Sequence, residues 1–477
     1  MKLQQRVDDM KRNRLFLIGM IAAFLGGCTL APEYSRPSAP VPAAWPTGAA
    51  YGETQTAASV PAAPAIPWRD FFTDERLQKA VEAALKNNRD LRLAALNVER
   101  ARALYGVQRA ELFPALQAVG SGAIERVPAD LSSTGSARTS EKYSVNLGVS
   151  SWEIDFFGRI RGLKDRALEE YLATDEARRS TEILLVSAVA NAYLALAADR
   201  ENLQLAESTL KAQEAAYQLI RKRYDVGLAT ELDLRRAQSQ VDAVRGDLAR
   251  FVQIMAQDEN ALNLLVGSPL PGEVLPSVLA DVRPPKEISA GLSSEILLQR
   301  PDVLAAEHRL KAANANIGAA RAALFPRIAL TTAIGTASAD LSGLFQSDSG
   351  TWMFAPQVAI PIFDARTWSA YDVTKVEKEI SIAQYEKAIQ TAFREVADAL
   401  AVRGSVNRRI SAQESLVEAV AETYRLAGLR YARGIDSYLS VLDAQRTLFS
   451  AQQGLIALRL IQITNRIALY QVLGGGA

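Results

Sequence analysis

The sequence predicts a mixed α/β membrane protein written as two copies of one half, each half a strand hairpin followed by a long helical hairpin. Three observations predict it: a lipoprotein-type N-terminus, a repeat of more than 200 residues, and the succession of period-two and heptad segments inside each copy.

Residues 1–27 read as a signal peptide. Lys2, Arg6, Lys11, Arg12 and Arg14 precede the apolar stretch Leu15 to Gly27, which is too short to span a bilayer. Leu25-Gly26-Gly27-Cys28 resembles a bacterial lipobox, whose small residues let a peptidase reach the backbone before the thiol of Cys28 is joined to diacylglycerol. Thr29, in place of an acidic residue, resembles lipoproteins sorted to the outer membrane. From residue 28 to 70 the chain reads as an extended tether, because Pro32, Pro37, Pro40, Pro42, Pro46, Pro61, Pro64 and Pro67 exclude helix and central strand.

Composition removes several classes of function. One cysteine and one histidine, His308, leave no disulfide framework, no Cys/His zinc site and little imidazole acid–base chemistry. His308 itself reads as a packing or surface residue. With 54 basic and 53 acidic residues, the chain has no field to gather nucleic acid, so no nucleic-acid partner is expected. No nucleophile–base constellation stands out, and an enzyme is not expected.

Asp90 to Pro114 aligns without gaps on Asp302 to Pro326, since 302 − 90 and 326 − 114 both equal 212, and ten of 25 positions are identical. Ala129-Asp130-Leu131-Ser132 recurs as Ala339-Asp340-Leu341-Ser342, an offset of 210. Arg223-Tyr224-x-x-Gly227 recurs as Arg430-Tyr431-x-x-Gly434, an offset of 207. A period this long is far beyond the ~20–50 residues of a solenoid unit, so an entire structural half is duplicated. The first copy spans 71–267, with a strand hairpin at 115–155 and a helical tip near 227. The second spans 291–477, with a strand hairpin at 327–361 and a tip near 434. The proline-rich 268–290 reads as an irregular linker between them.

Strand periodicity is clearest where Tyr143, Val145, Leu147 and Val149 alternate with Ser144, Asn146, Gly148 and Ser150. It returns at Trp352, Phe354, Val358 and Ile360, with weaker strands at 116–126 and 328–337. The pattern suits a transmembrane β-barrel with a wet lumen, and equally a soluble hairpin with one buried face. Four strands cannot close a barrel. Open edges cannot sit in lipid, where each unpaired backbone group costs several kcal/mol, so the membrane reading demands several chains.

The remainder is helix. Prolines are absent from 129–268 and from 362 onward, and Val189, Leu196, Leu203, Leu210, Tyr217 and Tyr224 recur every seven residues. The return helix has Leu234, Val241, Leu248, Met255 and Leu262. The second copy repeats the register with Val396, Ile410, Val417, Tyr424 and Tyr431, then Val441, Leu448, Leu455 and Leu469. Asp175 to Tyr224 alone would make a helix on the order of 70 Å long at ~1.5 Å per residue. Gly227 and Gly434 fall where each helix pair reverses, and Thr230 and Ser437 are placed to cap the return helices.

These residues resemble the outer membrane factors of tripartite efflux systems, the TolC-like and OprM-like channels, and especially their NodT-type lipoprotein branch. The resemblance is carried by Trp152 through Arg159 (WEIDFFGR), Leu297 through Val303 (LLQRPDV), Ala313 through Gly318 (ANANIG), Phe325-Pro326, and Arg430-Tyr431 with Gly434 through Leu442-Asp443-Ala444-Gln445. It implies a homotrimer whose four strands per subunit form one 12-stranded transmembrane β-barrel. Below an equatorial region, this continues into a 12-helix periplasmic α-barrel of coiled coils. It implies an outer-membrane location, and a passive duct for small toxic compounds that docks a periplasmic adaptor protein and an inner-membrane pump of the resistance-nodulation-division type. No cofactor is implied beyond the diacylglycerol and N-acyl chains on Cys28.

The resemblance also assigns site residues. Leu439, Asp443 and Arg446 match the OprM-like gate and would form rings in a trimer: the leucines a dewetting constriction, the carboxylates a cation-gathering ring neutralised by arginine. By their spacing alone, these residues equally describe a solvated helix face with an ordinary charge pair. Arg223, Tyr224, Gly227, Arg430, Tyr431 and Gly434 serve the tip turns and, by resemblance, offer the adaptor a grip. A type I protein secretion duct and a non-conducting periplasmic scaffold lipoprotein are the alternative functions.

Overall fold

A computed structural model of the chain describes residues 30–51, 66–290 and 293–475. The signal peptide and Cys28 lie outside the described residues. The elements run α1 (Trp68–Phe71), α2 (Glu75–Asn87), α3 (Arg89–Ala110), β1 (Leu116–Val127), β2 (Arg138–Glu153), α4 (Arg159–Asp225) and α5 (Glu231–Val266). After the linker follow α6 (Pro301–Ala322), β3 (Arg327–Ser338), β4 (Gly350–Ala359), α7 (Ala365–Ala432) and α8 (Tyr438–Val472). The chain divides into two compact units. One holds Val98–Thr174, Ala306–Tyr385 and the N-terminal segment up to Pro37; the other holds Ser38–Asn97, Asp175–Ala305 and Glu386–Ala477.

Among the described residues the first unit contains one antiparallel sheet in the order β1-β2-β3-β4, so β1 and β4 each keep an edge that no described strand pairs. Cross-strand partners share a face, which makes the register decisive. Leu116 opposes Val149, Leu147 opposes Ile334, Ile334 opposes Trp352, Thr332 opposes Phe354, and Ile328 opposes Val358. That apolar face is bare: Leu116 is 66%, Ile334 66%, Trp352 78% and Phe354 61% exposed. The opposite face carries Ser121, Ser144 and Asn146, linked by Ser121 Oγ to Ser144 Oγ at 2.8 Å and by Asn146 Nδ2 donating to Ser144 Oγ at 3.2 Å. Apolar surface on this scale, beside a hydrogen-bonded polar face, is the pattern of a barrel wall between lipid and water.

β2 is longer than its partners and bulges between Val149 and Trp152. Ser151 sits there at φ 54, held by its N–H donating to Thr331 Oγ1 at 3.1 Å. Beyond the bulge the WEIDFFGR motif makes the strand-to-helix corner. Glu153, only 8% exposed, accepts from Arg159 Nε and Nη2 at 2.9 Å each and pairs with Arg327 Nε at 2.6 Å. Asp155 accepts from the N–H groups of Ile160 (3.0 Å) and Arg161 (2.9 Å), capping the 67-residue helix α4. Phe157 stacks on Phe325 at 5.0 Å. In the same unit, α6 packs on the start of α4, where His308 Nδ1 meets Glu169 Oε2 at 2.6 Å and Arg166 Nη1 donates to Asn316 Oδ1 at 3.4 Å. His308 therefore ties two helices together.

The second unit is helical. Its core includes Val189, Leu194, Leu196, Ala197, Ala206 and Ile220, all at most 1% exposed. The heptad seam expected through Leu203 and Leu210 instead shifts: those two are half-buried, and the buried heptad positions become Ala206, Gln213 and Ile220. Ten residues separate Leu196 from Ala206, a heptad plus three, so the buried stripe continues in a different heptad register from the one it starts in. The most apolar window of α4 could cross a membrane by composition, yet 61% of it is buried in protein. Arg300 of the LLQRPDV motif, 9% exposed at its side chain, binds Asp302 (2.7 Å), Glu395 (2.9 Å) and the carbonyl of Val472 (2.7 Å), and so fastens the end of α8.

Residues 30–51 are irregular as expected, but they lie on protein. In the first unit Asn314 Nδ2 donates to the Pro32 carbonyl at 2.8 Å, and Glu307, 3% exposed at its side chain, takes Arg36 (2.8 Å), Lys311 (3.1 Å) and the Tyr34 hydroxyl (3.1 Å). Ala31 fits against Gly318, where a Cβ would fall 2.7 Å from the Ala31 Cβ. In the second unit Trp45 stacks on Phe393 at 5.3 Å, and Arg408 donates to the Ala49 carbonyl at 2.8 Å.

Candidate functional site

Both helical hairpins reverse through the same local structure. Gly227 (φ 76) and Gly434 (φ 72) are left-handed. The N–H of Leu228 reaches the Arg223 carbonyl at 2.7 Å and that of Gly227 the Tyr224 carbonyl at 2.9 Å. Ile435 and Gly434 repeat this to Arg430 and Tyr431, each at 2.9 Å. This is the Schellman closure, which satisfies carbonyls that a helix end would orphan and requires a residue at ease with positive φ. The repeated R-Y-x-x-G is therefore a helix stop. Thr230 accepts from the Asp233 N–H and caps α5, whereas Ser437 occupies the N-cap of α8 without a side-chain cap bond.

The turns differ in what their arginines do. Arg430 forms a two-pronged pair with Asp436, Nε to Oδ2 at 2.6 Å and Nη2 to Oδ1 at 3.0 Å. That contact holds the Asp436 carboxyl below its ordinary range and raises Arg430. The first copy has Ala229 at the matching place, and Arg223 instead lies over the Tyr431 ring, 5.2 Å from its centroid, joining one hairpin to the other. Tyr431 in turn contacts Tyr438 at 5.2 Å. Tyr438 is 5% exposed, and its hydroxyl is pushed up to about 12, mainly by burial. Beneath these rings Ile220 and Ala237 of the first hairpin pack with Ala427, Val441, Leu442 and Ala444 of the second.

Leu439, Asp443 and Arg446 stand on the other side of α8. Leu439 is 41% exposed, the Asp443 and Arg446 side chains 59% and 73%, and Arg446 Nη2 donates to Asp443 Oδ1 at 3.3 Å. The structure thus gathers Arg223, Tyr431 and Tyr438 into one packed tip and, among the described residues, leaves the Leu439 face exposed. Sequence reading missed Asp436 and Tyr438. Asp436 had a detectable signal, an acid near Arg430 where the other copy has alanine.

A bare apolar strand face, two free strand edges, coiled-coil hairpins and duplicated tip turns define a recognisable architecture. A sequence model of the outer membrane efflux protein family matches residues 80–268 and 292–475. The chain belongs to the outer membrane efflux protein family. Among its relatives is the toluene efflux pump outer membrane protein TtgC of Pseudomonas putida, 49% identical over 463 residues that cover 97% of this chain and 95% of the relative. The Escherichia coli cation efflux system protein CusC is 42% identical over 457 residues, 96% of this chain and 98% of that one. The crystal structure of the open state of the Neisseria gonorrhoeae MtrE outer membrane channel superposes with a TM-score of 0.84 at 38% identity, covering 94% of this chain and 98% of that one.

This member of the efflux protein family is an outer-membrane channel component of an efflux system. Its four strands and long helices are the channel fold of that family.

Proposed function

We propose that three copies close a 12-stranded barrel around one duct, that Leu439, Asp443 and Arg446 form its periplasmic gate, and that small toxic compounds pass through it passively. The observation that carries the reading is the sheet: an apolar face with no protein cover and two unpaired edges is stable in lipid only as part of a larger closed barrel. Closure requires further copies, and the resemblance supplies the number three. A duct of this kind does no covalent chemistry, so the protein is not an enzyme. The driving force comes from an inner-membrane pump of the resistance-nodulation-division type through a periplasmic adaptor. The adaptor grips the tip turns around Arg223, Tyr224, Gly227, Arg430, Tyr431 and Gly434, and Cys28 carries the lipid.

In the gate, three Leu439 side chains narrow and dewet the opening, while Asp443 and Arg446 of neighbouring helices exchange their in-chain pairing for pairing around the ring. The relatives' names, spanning toluene, antibiotics and cations, favour small exported molecules over polypeptides. Deletion in the native host should sensitise cells to organic solvents or amphiphilic drugs while leaving the set of secreted proteins unchanged. Unchanged sensitivity together with the loss of a secreted protein would favour a type I secretion duct.

A further inference from the structure

The duplication puts opposite charge at two equivalent places. The offset of 207 that relates the tip turns extends along the return helices to left-handed Gly267 (φ 78) after α5 and Gly474 (φ 75) after α8. Near those ends, Asn465 and Arg466 of α8 stand where α5 has Asp258 and Glu259. Arg403 and Val406 of α7 stand where α4 has Leu196 and Asp199. The first copy is thus mainly acidic here, with Asp258 hydrogen-bonded to Asp199. Its one cation, Arg200 at the place of Asn407, is taken up by the Pro276 carbonyl. The second copy is basic.

At the basic place the chain has a recess. It opens where Glu287 and Ile288 of the linker meet α7 and α8, all within the second unit, and it encloses about 450 Å³ counting its mouth. Its buried lining is apolar: Ile288, Val406 and Leu469 are 2%, 3% and 2% exposed. The remaining lining is polar. Arg466 is compensated, with Nη2 on Glu287 Oε1 at 3.0 Å and Nη1 donating to the Pro285 carbonyl at 3.1 Å. Arg403 spends only Nη1, on the Ile288 carbonyl at 3.0 Å, so its charge has no carboxylate partner among the described residues. Gln462 Nε2 donates to Asn407 Oδ1 at 2.7 Å, which leaves the Asn407 N–H groups to donate elsewhere. Asn465 is decisive. It is 8% exposed, it lines the recess, and its amide makes no hydrogen bond among the described residues. A buried amide left unpaired is costly, so one that faces a cavity calls for a partner from outside the chain.

We infer that this recess binds a small organic carboxylate. Two features choose that class. With Arg466 answered by Glu287, the lining carries one uncompensated positive charge, on Arg403, which a monoanion balances. The buried aliphatic side chains receive an apolar body behind the carboxylate, as small-molecule pockets of mixed lining do. The unused Nε and Nη2 groups of Arg403 take the carboxylate as a fork, and the Asn465 amide donates to it. The bound molecule bridges the linker to the second hairpin. In the first copy the carboxyl groups of Asp199, Asp258 and Glu259 make the equivalent place hostile to an anion, and the buried Leu196 takes the position of the arginine.

The test is calorimetric titration of the purified full-length protein in detergent, with benzoate as the probe and with benzamide and inorganic phosphate beside it. Benzoate should bind saturably, and benzamide, which has a similar shape without the charge, roughly tenfold or more weakly. Asn465→Asp, which places the first copy's residue in the second, should weaken benzoate by a similar factor, and so should Arg403→Gln. Arg403 is exposed, so its variant keeps the test open if the buried Asn465→Asp change prevents folding. Benzoate bound equally by wild type and Arg403→Gln overturns the site. Phosphate bound as tightly as benzoate overturns the ligand class, and wild type that binds no benzoate overturns both. Every lining residue belongs to one unit of one chain, so these outcomes are separate from those that test the barrel and the gate.

Discussion

At the residue scale the tip turns are the best-determined feature, because their chemistry is local. No atom lies within 4 Å of a Cβ placed on Gly227 or Gly434, so substitution there meets only backbone strain. Gly434→Ala should therefore cost about 1 kcal/mol, and Gly434→Asn less, as read from the thermal midpoint of the purified protein. Arg430 and Asp436 predict a pH response. The folded-state pKa of Asp436 is depressed, so its pairing contributes stability above the ordinary carboxylate range and loses it as pH falls through the lowered value. Asp436→Asn should remove that contribution at neutral pH, and the difference from wild type should vanish in strong acid. The R-Y-x-x-G repeat was legible since a helix stop is written in consecutive residues. The cation–π contact from Arg223 to Tyr431 was not, because the residues that form it lie 208 positions apart and only the fold brings them together.

At the scale of elements, the strands and helices follow closely from periodicity, while what each element rests upon does not. The alternation at Tyr143 to Val149 located β2, but the bulge at Ser151 left no signal, since serine is not a residue that advertises positive φ. Proline content foretold irregular structure after Cys28, yet composition could not say that the segment lies on protein. Gly318 was visible in the sequence only as the last residue of the ANANIG motif. Its role emerges from Ala31 lying against it, and Gly318→Leu should release the N-terminal segment, seen as faster proteolysis around residues 30–37 with the helices intact.

The first hairpin carries a second pH effect. Asp258 on α5 is pushed up to about 6 by burial and by hydrogen bonding with Asp199 on α4, and one of its oxygens is buried without a hydrogen-bond partner. A raised carboxyl pKa means the folded state holds a proton the unfolded chain has lost, so stability declines as pH rises from about 4 through about 6. Asp258→Asn should raise the thermal midpoint at pH 8 and change it little at pH 4. The two aspartates are 59 positions apart on helices that both read as amphipathic seams, and periodicity gave no reason to pair them.

At the scale of the whole molecule, one physical constraint governs the assembly. A four-stranded sheet with an uncovered apolar face cannot be a finished structure in lipid, so the chain is a fraction of a barrel, and its duplicated halves repeat one strand-plus-helix design around the wall. The gate we propose is then separated from the strands along the chain: the exposed Leu439, Asp443 and Arg446 face of α8 follows just past the second tip turn. The measurement that tests this most directly is single-channel conductance of the purified protein in planar bilayers. The account predicts small or infrequent openings for the wild type and a clear rise in conductance for Asp443→Ala and for Arg446→Ala; no conductance from either variant, with protein inserted and oligomeric, would contradict it.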